Sequence, residues 1–177
     1  MAHKLTIEEM HRLTVDQFRE APKLPLTVVL DNIRSQNNIG SFFRTADAFR
    51  VERLCLCGIC STPPHRDIHK TALGAEESVA WRHFDDTEQC LRQLGQEGYA
   101  IYAVEQVDDS ISLESLPPVV EAPVALVFGN EVEGVQERLL PLCRGSIEIP
   151  QLGTKHSLNV SCAAAIVMWE FFKRLRP

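Results

Sequence analysis

Short apolar runs alternate along the chain with segments whose apolar residues recur every three or four positions. The apolar runs predict buried strands at 26–30, 53–57, 99–104, 124–128 and 146–149. The second pattern predicts helices at 5–20, 39–50, 85–97, about 135–143 and 156–174. Strands separated by helices are typical of a mostly parallel sheet with helices on both faces, and this α/β architecture is the predicted fold class.

The two terminal helical segments carry more detailed predictions. At the start, Thr6 precedes Glu9 by three positions, which is the arrangement of a capping box. The prolines of APKLP at 21–25 then interrupt the helix, because a residue before proline avoids helical geometry. We therefore expect a helical arm at 1–24 and one domain at 25–177. The closing helix has a predicted inward face of Leu158, Cys162, Ala165, Ile166, Trp169 and Phe172.

Length and composition narrow the class of protein. A chain of 177 residues suits a single core, and no run of about 18 uncharged apolar residues is present to span a bilayer. The N-terminal segment has neither an apolar core nor a small-residue cleavage site, so we expect a cytoplasmic protein.

The six cysteines are expected to be reduced in the cytoplasm. Three of them form CLCGIC at 55–60, but the others are isolated in apolar stretches, which favours buried thiols and no metal site.

The charges are unevenly distributed. The net charge of −6 opposes binding to phosphates. However, residues 71–142 carry 3 basic and 14 acidic groups. Residues 31–70 carry 6 basic and 4 acidic groups, and residues 143–177 carry 5 basic and 2 acidic groups. A basic face could form from the last two segments, with the acidic segment facing away.

The commonest nucleotide-binding fingerprints of α/β proteins are missing. The first predicted strand is followed by DNIRSQNNIG, which matches neither the Rossmann nor the P-loop pattern, and GNEVEG at 129–134 lacks the phosphate-loop lysine. Three segments nevertheless place polar residues and glycines directly after predicted strands, where open α/β sheets bind ligands.

The first segment, residues 30–49, centres on an arginine. Asn38 is the predicted N-cap, and Gly40 lies one turn before Arg44, where it would leave open space beside the guanidinium. An arginine with amides beside it suits a phosphate or a developing oxyanion. The alternative is a capped amphipathic helix with a solvated arginine.

The second segment, residues 125–135, ends a strand at a glycine. Gly129 would let a ligand approach the backbone, and the carboxylate of Glu131 follows directly. The alternative is a turn with an acid at a helix start.

The third segment, residues 149–170, begins as an irregular loop fixed by Pro150 and Gly153. Ser157 and Asn159 then bring a hydroxyl and an amide to the start of a helix, although Ser157 alone could be a simple cap.

Together the three segments resemble the signature motifs of the SpoU/TrmH-like branch of the SPOUT superfamily, which are RNA 2′-O-ribose methyltransferases. Motif one is matched by Asn38, Gly40, Arg44, Thr45 and Ala46. Motif two is matched by Leu126, Val127, Gly129, Asn130, Glu131 and Gly134. Motif three is matched by Ile149, Pro150, Gly153, Ser157, Leu158, Asn159, Val160, Ser161 and Ala163. The matches keep the family's order and spacing over about 25–175, which makes chance agreement improbable.

The resemblance implies a five- or six-stranded parallel sheet, with a C-terminal part, about 124–177, that forms a deep trefoil knot, an exception to the rule against knots. It also implies a homodimer with the active site at the subunit interface, and S-adenosylmethionine as cofactor. By analogy with the family, the residues that would bind the cofactor are Val104, Gly129, Asn130, Ile149, Ser157 and Leu158.

The implied reaction is attack of a ribose 2′-hydroxyl on the sulfonium methyl group. In similar enzymes the arginine matched by Arg44 is proposed as the base, but arginine is effectively always protonated, so we expect Arg44 to stabilise the oxyanion. Asn38 would position the ribose, Glu131 would organise Arg44 and its loop, and Asn159 would fix the cofactor loop. Ser157 completes the implied catalytic set.

The substrate is expected to be RNA, with tRNA favoured over rRNA because the chain lacks the extra N-terminal domain common in rRNA-specific members. Neither a membrane nor DNA is an expected partner. Two alternatives stay open from the sequence: a family member that binds RNA or S-adenosylmethionine without catalysis, and an α/β enzyme acting on a small nucleoside or metabolite.

Overall fold

The computed structural model describes residues 2–6, 8–118, 120–121 and 123–176. Met1 and Ile7 of the predicted arm lie outside these ranges, as does Pro177 at the end of the predicted domain.

A parallel sheet forms the centre of the molecule. In the described part of the chain it has seven strands, in the order β3-β2-β1-β6-β4-β7-β5, where the resemblance implied five or six. The strands are β1 (Leu24–Asp31), β2 (Val51–Cys57), β3 (Ala80–Phe84), β4 (Ala100–Val104), β5 (Ile111–Ser112), β6 (Val124–Phe128) and β7 (Gly145–Glu148). The two-residue edge strand β5 is too short to be recognised from an apolar run. All six pairings between neighbouring strands are parallel. The carboxyl ends of β4, β6 and β7 therefore lie side by side at one edge.

Helices cover both faces of this sheet. They are α1 (Val15–Glu20), α2 (Gln36–Ala48), α3 (Arg66–Ala72), α4 (Ala75–Ser78), α5 (Thr87–Gln96) and α6 (Val160–Leu175), with 3₁₀ turns at Leu113–Ser115 and Glu137–Leu142. Alternation along β1 shows the two layers: Val28 packs in the core beneath α2 and α6, whereas Val29 packs in the core beneath α5. The predicted fold class is confirmed.

Several predicted boundaries and caps were wrong. Thr6 and Glu9 do exchange hydrogen bonds, but they close only a turn. The helix of the arm begins later, at a capping box formed by Thr14 and Gln17. Its Phe18 is buried in the core, so α1 packs onto the rest of the protein.

The predicted inward face of the closing helix was also wrong. The buried residues of α6 are Ala164, Val167, Met168 and Phe171. Ile166 and Trp169, which were expected inside, remain 42% and 47% exposed. Both faces of α6 are apolar, so its periodicity could not distinguish the side that packs on the sheet from the side left open.

None of the helices in the described ranges has the length and apolar content needed to cross a bilayer. Four of the six cysteines, including the three of CLCGIC, are buried, while Cys162 is exposed.

Candidate functional site

A cleft of about 580 Å³ opens at the carboxyl ends of β4, β6 and β7. Its walls include all six residues that the family resemblance implies for the cofactor: Val104, Gly129, Asn130, Ile149, Ser157 and Leu158. Glu131 and Asn159 line it as well. This volume falls within the range of small-molecule sites, so the cleft can accommodate a nucleoside cofactor.

A tight turn after β6 forms one wall of the cleft. Asn130 and Gly134 exchange backbone hydrogen bonds of 3.2 and 3.0 Å, and the Asn130 side-chain oxygen accepts the amides of Val132 and Glu133 at 2.9 Å. Gly129 lies where this turn crosses its own backbone: a Cβ there would be 1.8 Å from the carbonyl carbon of Gly134. A side chain at this position would therefore displace the turn.

Glu131, at the tip of this turn, is anchored to the start of α2. Its carboxylate accepts the backbone amides of Arg34 and Ser35, both at 3.2 Å, and the Asn38 side-chain amide at 2.9 Å. Burial raises the pKa of Glu131, but these hydrogen bonds outweigh it, so the pKa lies below its ordinary value. Glu131 thus connects motif two to motif one through hydrogen bonds to its ionised carboxylate.

Asn38 connects these hydrogen bonds to motif three. Its side-chain oxygen accepts the Asn159 amide at 3.2 Å, and the Asn159 oxygen caps α6 by accepting the backbone amides of Ser161 and Cys162. A continuous chain of hydrogen bonds therefore joins Glu131, Asn38 and Asn159, which are far apart in sequence. Ser157 lies three residues before α6 and lines the cleft, and the helix cap is Asn159.

Two predictions about the start of α2 require correction. The N-cap is Ser35, whose hydroxyl accepts the Asn38 amide at 3.2 Å, and Asn38 lies inside the helix. Gly40 does not open space for the guanidinium of Arg44: a Cβ there would be 2.1 Å from the Thr71 hydroxyl, so the glycine allows α3 to pack closely. Within the described part of the chain Glu131 forms no ion pair with Arg44, and its carboxylate binds Asn38 and two backbone amides.

Arg44 projects from α2 into solvent. Among the described residues it forms neither an ion pair nor a side-chain hydrogen bond, and neither Arg34 nor Lys155 forms an ion pair with a side chain. These exposed cations can bind an external anion without first breaking an internal pair.

Part of the acidic segment 71–142 faces the site, although the whole segment was expected to face away from it. Glu105, Glu131 and Glu133 of this segment all line the cleft. Sequence reasoning missed Glu105, which comes from none of the three motifs. Its one signal was its position directly after a predicted strand.

Two further features concern other ligand sites. Within the ranges that the structure covers, no group of three or more His, Cys, Asp or Glu side chains is arranged to hold a metal ion. A second cavity, of about 440 Å³, lies at the amino ends of the strands beside Tyr99 and contains none of the predicted site residues. Its Arg144 is already paired with Glu121 at 2.7 Å. The cleft at the carboxyl edge is therefore the site that the motifs build.

Comparisons with known proteins agree with this geometry. Residues 25–169 match the model of the SpoU rRNA methylase family. The tRNA (guanosine(18)-2′-O)-methyltransferase of Thermus thermophilus is 32% identical over 162 residues, which cover 92% of this chain and 81% of that protein.

Solved structures give the same result. The TrmH/SpoU tRNA modifying enzyme of A. aeolicus superposes with a TM-score of 0.79 at 26% identity, covering 90% of this chain and 81% of that one. An AdoMet-bound rRNA methyltransferase from Sinorhizobium meliloti superposes with a TM-score of 0.78 at 26% identity and covers 87% of this chain. The present chain spans only 59% of the length of that protein.

The fold and the site thus define the class that the three motifs predicted, an RNA methyltransferase that uses S-adenosylmethionine. The chain belongs to the SpoU rRNA methylase family.

Proposed function

We propose that this protein transfers a methyl group from S-adenosylmethionine to a ribose 2′-hydroxyl of tRNA. The observation that carries the proposal is the hydrogen-bonded chain from Glu131 through Asn38 to Asn159, which joins all three motifs beside one cleft. The similarity to the Thermus thermophilus tRNA enzyme, which extends over most of both chains, supports tRNA as the substrate.

The cleft residues would hold the cofactor. When bound, S-adenosylmethionine supplies an electrophilic methyl group on its sulfonium centre. The absence of a side chain at Gly129 keeps the motif-two turn tight against this space. Ser157 and Leu158 contribute a wall from the loop before α6, and Val104 and Ile149 contribute walls after their strands.

The remaining residues would act on the RNA. We assign to Arg44 the stabilisation of the developing 2′-oxyanion and contact with a neighbouring phosphate, since its guanidinium is exposed and permanently charged. Asn38 would position the ribose from a fixed orientation, because both ends of its amide are already hydrogen-bonded. Glu131 and Asn159 hold Asn38 and the start of α6 in place.

We also propose that the protein is a homodimer that works in the cytoplasm. Each chain would consist of an N-terminal arm at 1–24 and a methyltransferase domain at 25–177, with a trefoil knot over about 124–177. Support for the dimer comes from α6, whose exposed apolar face carries Ile166 and Trp169, and the Trp169 ring stacks on Phe172 and lies tilted against Phe49. A second copy of the chain would remove this face from water.

Replacing Ile166 with glutamate tests the dimer. A charge at the centre of an apolar interface is costly to bury, so the variant is expected to be monomeric. Sedimentation analysis should give twice the chain mass of 19.9 kDa for the unmodified protein and a single chain mass for Ile166→Glu. Ile59→Glu is the matched control, because Ile59 is 61% exposed in the loop after β2 and should leave the dimer intact. An unmodified protein of single-chain mass would contradict the dimer.

The substrate class is tested by offering two RNA pools that lack modification. With labelled S-adenosylmethionine, methyl transfer is expected into bulk tRNA and not into rRNA. Adding salt should weaken binding to tRNA steeply, because the exposed cations would neutralise phosphates and release counterions. Label found in rRNA alone would assign the enzyme to rRNA, contrary to the proposal.

A further inference from the structure

Glu105 is one of the residues that line the cofactor cleft. It follows β4 directly, and β4 lies between β6 and β7 in the sheet. Its backbone amide donates to the Ile147 carbonyl at 3.1 Å, which continues the ladder between β4 and β7 by one residue. The origin of its side chain is therefore fixed by the sheet.

The carboxylate of Glu105 also supports the turn after β6. One oxygen, Oε2, accepts the Val135 amide at 2.9 Å, and Oε1 accepts the Gln106 amide at 2.9 Å. A Cβ on Gly134 would be 2.1 Å from Oε2, so the glycine, which has a φ of +71°, makes room for this carboxylate. Close packing by glycine brings the acid against the turn that carries Glu131.

These contacts leave acceptor capacity on both oxygens. An ionised carboxylate has about four lone-pair sites and donates no hydrogen bond. Glu105 accepts one amide on each oxygen and forms no ion pair with any cation in the described part of the chain. Because Glu105 lines the cleft, a bound molecule that offers hydrogen-bond donors can use this capacity.

We infer that Glu105 binds the cofactor by accepting hydrogen bonds from its ribose hydroxyls. The inference rests on the proposed function, because it assigns a contact inside the cofactor cleft. A ribose presents two adjacent hydroxyl donors, and an acid after a parallel strand binds such hydroxyls in other open α/β folds. Glu133 is exposed at the tip of the turn, whereas the partly buried carboxylate of Glu105 is held by two backbone amides, so Glu105 is the better partner for the ribose.

Glu105→Gln tests the inference with two nucleosides. Methylthioadenosine carries the adenine and ribose of the cofactor but no amino-acid part, and its 2′,3′-dideoxy analogue lacks the hydroxyls as well. The unmodified protein should bind methylthioadenosine about tenfold tighter than the analogue, as expected for a hydrogen bond to a charged acceptor. In Glu105→Gln this ratio should fall to about twofold, with the affinity for the dideoxy analogue unchanged.

The glutamine can still accept the Val135 amide, so the turn should survive, and a thermal unfolding midpoint within a few degrees of the unmodified protein would show this. Asp109→Asn is the matched control, since Asp109 is an exposed acid in the loop after β4 that does not line the cleft, and this variant should keep the tenfold ratio.

Other outcomes would overturn the inference. Equal weakening of both nucleosides in Glu105→Gln would mean that Glu105 only supports the turn. An unchanged affinity for methylthioadenosine, with weaker binding of the whole cofactor, would assign Glu105 to the cofactor's ammonium group instead. If the unmodified protein did not bind S-adenosylmethionine at all, both the proposed function and this inference would be contradicted. If it bound the cofactor normally but bound methylthioadenosine and the dideoxy analogue equally well, only the inference would be contradicted.

Discussion

Arg44→Ala is expected to abolish detectable methyl transfer while leaving the affinity for S-adenosylmethionine near that of the unmodified protein. Arg44 projects from α2 into solvent and is not among the residues that line the cofactor cleft. Loss of one group that stabilises an oxyanion typically lowers turnover by about 10²- to 10³-fold, and loss of the phosphate contact would add to this. Single-turnover methyl transfer and calorimetric titration of the cofactor would separate the two quantities.

Arg82→Ala is the matched control for Arg44→Ala. Arg82 is also an exposed arginine, but it lies on β3, at the opposite end of the sheet from the strands that form the cleft. This variant should retain turnover. If Arg44→Ala were as active as Arg82→Ala, the assignment of Arg44 would be wrong, and a parallel loss of cofactor binding would point to a structural role.

Gly129→Ala is expected to have the second large effect, through the cofactor. The new methyl group would lie 1.8 Å from the Gly134 carbonyl carbon and 2.0 Å from the Val135 nitrogen, so the turn between them must move. Overpacking of this kind costs about 1–3 kcal/mol, which would weaken S-adenosylmethionine binding about tenfold or more and displace Glu131 from Asn38. Titration with the cofactor measures the first effect, and the methyl transfer rate measures both.

Gly153→Ala provides the comparison at another motif glycine. Gly153 belongs to motif three, yet a Cβ at this position would meet no atom of the described residues within 4 Å. Its substitution should change cofactor affinity by less than about twofold, in line with open surface positions. Near-normal cofactor binding by Gly129→Ala would show that the turn is not the wall of the cofactor site.

Much of the sheet could be predicted because its central strands are apolar on both faces. The run VALVF predicted a strand at 124–128, and β6 has these bounds. The strand β3, AWRHF, was missed because it is an edge strand with four exposed residues and therefore lacks an apolar run. The helix α3 was missed as well, since its polar sequence RDIHKTA has only Ile68 and Ala72 buried.

The residues of the site could be predicted where they belong to family motifs. The contacts between those residues could not be predicted, because they depend on the tertiary structure. The six proposed cofactor residues converge on one cleft, although motifs two and three supply five of them and Val104 lies outside the motifs. No local pattern shows that Glu131 binds Asn38, because the two residues are 93 positions apart. Ser35 and Asn38 are both good N-cap residues, so only the backbone could show which one begins α2.

Nucleoside analysis of tRNA decides whether this protein methylates the ribose 2′-hydroxyl. Unmodified tRNA would be incubated with the protein and S-adenosylmethionine, digested to nucleosides and analysed by mass spectrometry. A nucleoside methylated on its ribose, absent when Arg44→Ala replaces the unmodified protein, is the predicted result. A methyl group on a base, or no methylation of tRNA by a protein that binds the cofactor, would show that the protein is not a tRNA ribose methyltransferase.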